Sequence, residues 1–316
     1  TLAGIVSERI GELYPPAVWM GQSLITGKPG GLLLCAVVSL AAGITVIGGI
    51  ARGFRRICDG LFATTARHDY RMGVLKGRSV MAALWKREQK RYLSSSLYVT
   101  NTIVGPLLAT ILVGAMWMTG VDALQETVDG LLAGSSLSLR VAELIPFLLS
   151  AVFCMMTTTS VSISMEGKGF WLIKSLPVST KMVLDSKILM NLSVMLPFYV
   201  VSEILLTLAV RPMLTQWLWQ LLIPAVLILF TCVLGITVNL HFYSFDWRRE
   251  ETVVKQSAAA LLGGFAGLLV SLLCAVPMIL APQERIGLVK AAICLALSAM
   301  TWLLREKNNQ TQLQCL

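Results

Sequence analysis

Seven long apolar runs alternate with shorter polar or basic connections along this chain, at 32–51, 98–118, 141–163, 192–210, 221–240, 258–280 and 287–304. A helix needs about 20 mostly apolar residues to cross the hydrocarbon core of a bilayer. The pattern predicts an all-α fold, a polytopic transmembrane helical bundle. It would form a single transmembrane domain over 1–316 with about seven membrane-spanning helices, joined in places by short interfacial or coupling helices. Lys290 falls in the first turn of the last run, where its side chain is expected to snorkel toward the headgroups.

Composition points the same way. Of the 316 residues 56% are hydrophobic and 14% charged, where a soluble domain carries about 25% charged residues. A bilayer accepts an apolar exterior and requires only that backbone groups be paired internally. Lipid is thus the expected surrounding. The net charge of +9 would suggest nucleic acid as a partner of a soluble protein. Here the basic residues lie between apolar runs, which suits anionic lipid and not nucleic acid.

The location of Lys and Arg also sets an orientation. Loop 52–97 has eleven, loop 164–191 four, loop 241–257 three and the tail after 304 two, against six on the other side. This places the basic loops and the carboxyl terminus in the cytoplasm of a cell that inserts the chain in its inner membrane. An external amino end that starts at Thr1, without Met or a signal peptide, leads us to expect a missing amino-terminal region.

Two of the basic loops have internal structure. In the first, Trp85, Lys86, Arg87, Lys90, Arg91 and Tyr92 alternate apolar and charged positions in a helix suited to the headgroup layer, anchored by Trp85 and Tyr92. A solvated basic helix that only enforces topology is the other reading. In the second, Phe170, Trp171, Ile173 and Leu176 are placed to bury one side of a short helix that ends before Pro177. Ser179 or Thr180 then caps a helix running into the fourth apolar run. The short helix fits either a docking element for a cytoplasmic partner or an interfacial anchor. In loop 241–257, Asp246 is placed to cap a helix beginning near Trp247.

Three stretches resemble the permease subunits of type 2 ATP-binding-cassette exporters, in particular a group of bacterial permeases common in Gram-positive organisms. They are KREQKRYLSSSLYVTNTIVG at 86–105, EGKGFWLIKSLPVSTKMVLDSK at 166–187 and DWRREETVVKQS at 246–257. The chain is similar to the carboxyl-terminal portion of such a permease. The resemblance implies a substrate path in the membrane and a separate cytoplasmic ATPase subunit that binds the ATP. It also leaves room for a homodimer or a second permease. The docking residues it implies are Glu166, Gly167, Lys168, Trp171 and Lys174, with Lys86, Arg87, Lys90 and Arg91 as a second docking loop. The residues themselves agree that energy must come from elsewhere, since no G-x-x-x-x-G-K-[ST] phosphate loop occurs. No cofactor is expected on this chain.

Other chemistries have little support. The seven cysteines form no CxxC pair, and His68 and His241 lie in different loops, so no metal site is expected. GxSxG and HExxH are absent, which argues against an intramembrane hydrolase. Glu203 is the clearest ionisable residue inside a run and a candidate intramembrane polar site: either it faces a cavity or binds a cation, or it is satisfied by Ser202 or a neighbouring helix near the outer surface. Asn101 is suited to hydrogen bonding between helices. An ion-coupled secondary transporter would need more such groups, and a non-transporting assembly or scaffold protein is a further alternative.

Overall fold

The computed structural model describes residues 15–27, 29–62, 77, 79–131, 140–155 and 157–311. Arg67, His68, Arg71, Lys76 and Arg78 of the expected basic loop lie outside the described residues, as does the segment before 15. Regular structure among the described residues is entirely helical.

The chain divides into two compact units, Thr1–Lys76 and Gly77–Leu316. In the first, α1 (Pro15–Thr26) packs on α2 (Gly30–Phe62). The turn between them uses Gly27 at a φ of 67°, a conformation that favours glycine.

The second unit holds α3 (Val80–Ser94), α4 (Ser96–Thr119), α5 (Val121–Leu131), α6 (Val141–Cys154) and the six-residue α7 (Phe170–Ser175). It continues with α8 (Thr180–Val210), α9 (Leu214–His241), the short α10 (Glu250–Val254), α11 (Ala258–Leu280) and α12 (Ile286–Gln310). Serine side chains begin α3, α4, α8 and α11: the hydroxyls of Ser79, Ser95, Ser179 and Ser257 each accept from a backbone N–H of the first turn. The expected cap at Ser179 is among them. In loop 241–257 the helix instead begins at Glu250, with Arg249 as its N-cap residue, and Asp246 is exposed.

Among the described residues six helices, α2, α4, α8, α9, α11 and α12, are long and apolar enough to cross a bilayer, and the chain is a multi-pass membrane protein. α9 is central to the second unit and packs against α6, α8, α11 and α12, while α4 lies along α8. Ile223, Leu227, Phe230 and Cys232 of α9 are fully buried with Phe147 and Phe153 of α6. On α8 the opposite pattern marks the lipid side. Leu196, Val200, Ile204 and Leu208, each four residues apart, are exposed, whereas Met195, Ser202, Glu203 and Leu206 face inward.

One expected span is not a continuous helix. The run 141–163 is helical only to Cys154, and α6 has 14 residues, about 21 Å at 1.5 Å per residue. Beyond it the chain turns through short 3₁₀ segments at Thr158–Ser160 and Ser164–Gly169. The reason is local: Thr157, Thr158, Thr159, Ser160, Ser162 and Ser164 offer hydroxyls that compete with the helical backbone hydrogen bonds, and threonine is stiff at χ1. Two further expectations change. Lys290 does not snorkel but is buried and paired with Glu143 of α6. Tyr92 is no headgroup anchor, since its hydroxyl pairs with Thr102 at 2.8 Å and its ring meets Tyr98 edge-on.

Glycines let the broken strand of chain come close. A Cβ at Gly267 of α11 would stand 2.4 Å from the Cys154 carbonyl oxygen, and one at Gly235 of α9 would stand 2.5 Å from Thr159 Oγ1. Gly267→Val is therefore expected to cost about 1–3 kcal/mol by forcing α6 and α11 apart. Gly287→Ala, where no atom lies within 4 Å of the new Cβ, serves as the neutral control. Thermal unfolding of the two variants in detergent checks this, and equal midpoints would show that the close approach is not required.

Candidate functional site

A chain that leaves helical geometry while buried inside a bundle releases backbone groups that need other partners. Here side chains of the neighbouring helices take them. Asn191 Oδ1 of α8 accepts from the Thr158 N–H at 2.7 Å and from its hydroxyl at 2.8 Å. Asn239 Oδ1 of α9 accepts from the N–H groups of Ile163 and Ser164, at 2.8 and 3.2 Å, while its Nδ2 donates to Ser164 Oγ at 2.8 Å. Tyr98 donates to the Thr158 carbonyl at 2.7 Å, and the Trp247 indole to the Ser164 carbonyl at 2.8 Å. Residues 157–167 are buried throughout.

The Ser162 carbonyl opens onto a cluster of five charged side chains. Lys187 Nζ and Arg91 Nη2 both donate to it, at 3.1 and 3.0 Å. Lys187 reaches Glu166 at 2.7 Å and Glu88 at 3.0 Å. Arg87 makes two hydrogen bonds to Glu166, at 3.3 and 2.6 Å, and Arg91 pairs with both carboxylates. The side chains of Lys187, Glu166 and Glu88 are 1%, 2% and 5% exposed, so these charges are out of water and depend on one another. Burial by itself would push the Glu166 carboxyl up. Lys187 and Arg91 beside it, with hydrogen bonds from Arg87 and Lys187, outweigh burial and hold it well below the usual carboxylate range.

The cluster ties α3, the broken element and α8 together, and α7 begins four residues after Glu166. The turn between uses Gly167 at a φ of 54°, where a Cβ would stand 3.1 Å from the Trp247 ring. On α7, Phe170 and Ile173 are buried, with Phe170 stacked on Phe245 at 4.5 Å between centroids. Trp171 and Leu172 point outward, 67% and 46% exposed. This corrects the expectation that Trp171 lies on the buried side. Lys174 Nζ lies 5.3 Å from the Phe170 ring centre.

The structure thus merges the two sets of residues read as separate docking elements. Glu166, Arg87 and Arg91 belong to one network, with Glu166 buried and the two arginines partly exposed. Gly167 is buried beside it, Lys86 and Lys90 are exposed on the outer side of α3, and Lys168 stands outward near Asp246. Sequence reasoning missed Glu88 as a site residue, although its place with Leu84 and Tyr92 at four-residue spacing marks the buried face of α3. It also missed Asn191 and Asn239, amides inside apolar helices. Glu203 stands apart, about 24 Å farther along α8 than Lys187. Among the described residues, no group of three or more His, Cys, Asp or Glu side chains is placed to hold a metal ion. No family model, curated protein or solved structure matches this chain.

Proposed function

We propose that this chain is the membrane-spanning subunit of an ATP-binding-cassette exporter, with α7 as the docking helix for a separate cytoplasmic ATPase. The observation that carries the reading is the joint character of α7. It offers Trp171 and Leu172 outward, and through Gly167 and Glu166 it continues directly into the ion cluster and the broken membrane element. A push on α7 would reach the bundle interior through buried, paired groups rather than through a free loop. The three stretches that resemble exporter permeases meet at this end of the second unit: Arg91 pairs with Glu166, Lys168 lies 3.8 Å from Asp246, and the Ser95 hydroxyl bonds Glu250 at 2.5 Å. In this reading the basic loops and the carboxyl terminus are cytoplasmic, and ATP is bound and hydrolysed on the partner.

A broken crossing element also favours a second reading, an ion-coupled transporter, in which unwound backbone coordinates the ion. Against it, the Thr158 and Ser162 carbonyls are already engaged by Tyr98, Arg91 and Lys187. Purification of the protein from its host in mild detergent separates the two. An ATPase subunit is expected to accompany it, and Trp171→Ala combined with Lys174→Ala is expected to weaken the association by about tenfold or more, as for an aromatic anchor at an interface. A complex unchanged by the double substitution would remove α7 from the docking role.

A further inference from the structure

Glu203 is 4% exposed, yet only half satisfied. Its Oε2 accepts from Gln220 Nε2 of α9 at 3.1 Å, whereas Oε1 has no hydrogen-bond partner among the described residues. The cation of the neighbouring α12, Lys290, is committed to Glu143. A carboxylate in such a place is costly without a partner.

The surroundings say what kind of partner fits. Glu203 lines a groove of about 330 Å³ between α8 and α9, together with Tyr199, Thr207, Trp217 and Leu221. Both rings are held in place: the Tyr199 hydroxyl donates to the Leu221 carbonyl at 2.7 Å, and the Trp217 indole donates to Thr207 Oγ1 at 3.2 Å. Aromatic faces attract cations, above all an organic ammonium. Tyr199 and Leu221 also border an adjoining groove of about 740 Å³ whose walls are almost wholly apolar. The exposed Val200, Ile204 and Leu208 put the entrance on the lipid side. A neutral apolar molecule would leave the carboxylate unpaired, and a bare metal ion needs more oxygen ligands than Glu203 and Thr207 provide.

We propose that this groove binds an amphiphilic ammonium, with the cationic head on Glu203 beside Tyr199 and Trp217 and the apolar body along Leu221 into the adjoining groove. The site goes beyond the exporter reading and does not rest on it, because binding needs no ATPase. Two sources carry this chemistry, free lipophilic amines and the ethanolamine headgroup of phospholipids.

The test uses the full chain in a neutral maltoside detergent, titrated with dodecylamine and read by equilibrium dialysis and tryptophan fluorescence. Saturable binding is expected, weakened on the order of tenfold by Glu203→Gln, with dodecanoate failing to compete. Adding phosphatidylethanolamine assigns the source. Displacement of the amine points to the lipid headgroup and lack of displacement to a free amine, and both support the site. Should Glu203→Gln not fold, Trp217→Leu carries the test with a severalfold loss expected. Wild-type affinity in whichever variant folds, or equal competition by dodecanoate, would overturn the proposal, and loss of an ATPase partner would leave it untouched.

Discussion

Glu166→Gln is expected to lower the unfolding midpoint of the detergent-purified protein by about 10 °C, the effect of removing one partner from a buried ion cluster worth about 3–5 kcal/mol. The wild-type cluster has three cations, Arg87, Arg91 and Lys187, around two carboxylates, Glu88 and Glu166. Neutralising Glu166 leaves three cations on Glu88, with Lys187 still 1% exposed and unable to turn to water. Lys187→Met acts differently, since two cations then face two carboxylates, and its cost is expected to be the smaller. The double substitution should cost less than the two single costs added, because Lys187 is harmful only once Glu166 is gone. Acid repeats the experiment. The depressed folded-state pKa of Glu166, against an ordinary value of 4.5, makes its contribution fully present above pH 4.5 and lost as pH falls through the folded value. Glu166→Gln should lack that acid-dependent part. Additive costs, or a variant that melts with wild type, would mean the cluster does not hold α3 and α8 to the broken element.

How much of this could be read beforehand differs from residue to residue. Where hydropathy is continuous the expected spans are close: 98–118 becomes Ser96–Thr119, and 258–280 has the bounds of α11. The fourth run, read as 192–210, misses the first three turns of α8, because Lys181, Asp185, Lys187 and Asn191 lower the local hydropathy. Those residues are helical all the same, and Lys187 and Asn191 find their partners inside the protein. The third run fails for the opposite reason. Hydroxyl residues are nearly neutral on a hydropathy scale, so 157–163 passes as part of a span although its side chains compete with helical hydrogen bonds. Pro177 and Ser179 act on adjacent backbone and were readable as a stop and a cap. The ion cluster was not, since Arg87 and Glu88 meet residues 79 and 99 positions away. Charges in a basic loop look alike until the fold decides which of them share a partner.

Asn239→Leu is expected to destabilise the second unit by about 4 kcal/mol, because the N–H groups of Ile163 and Ser164 lose their acceptor and each buried donor left alone costs about 1–3 kcal/mol. Asn191→Leu should act likewise through the Thr158 N–H and hydroxyl. Leucine has the same branched set of four side-chain heavy atoms as asparagine and suits the apolar surroundings, so no cavity is left behind. The damage should also be local. The helix pairs α4–α8 and α9–α12 pack without these amides, whereas the broken element has no ladder of its own and depends on them. Hydrogen exchange should therefore quicken at 157–166 in both variants while the cores of α9 and α11 stay protected. Under the exporter reading a loosened element would separate docking from transport: the ATPase would still bind at Trp171, but its hydrolysis would no longer move cargo. Unchanged protection at Thr158, Ile163 and Ser164 would mean that their N–H groups do not depend on the two asparagines, and the mechanical link from α7 into the membrane would fall with that dependence.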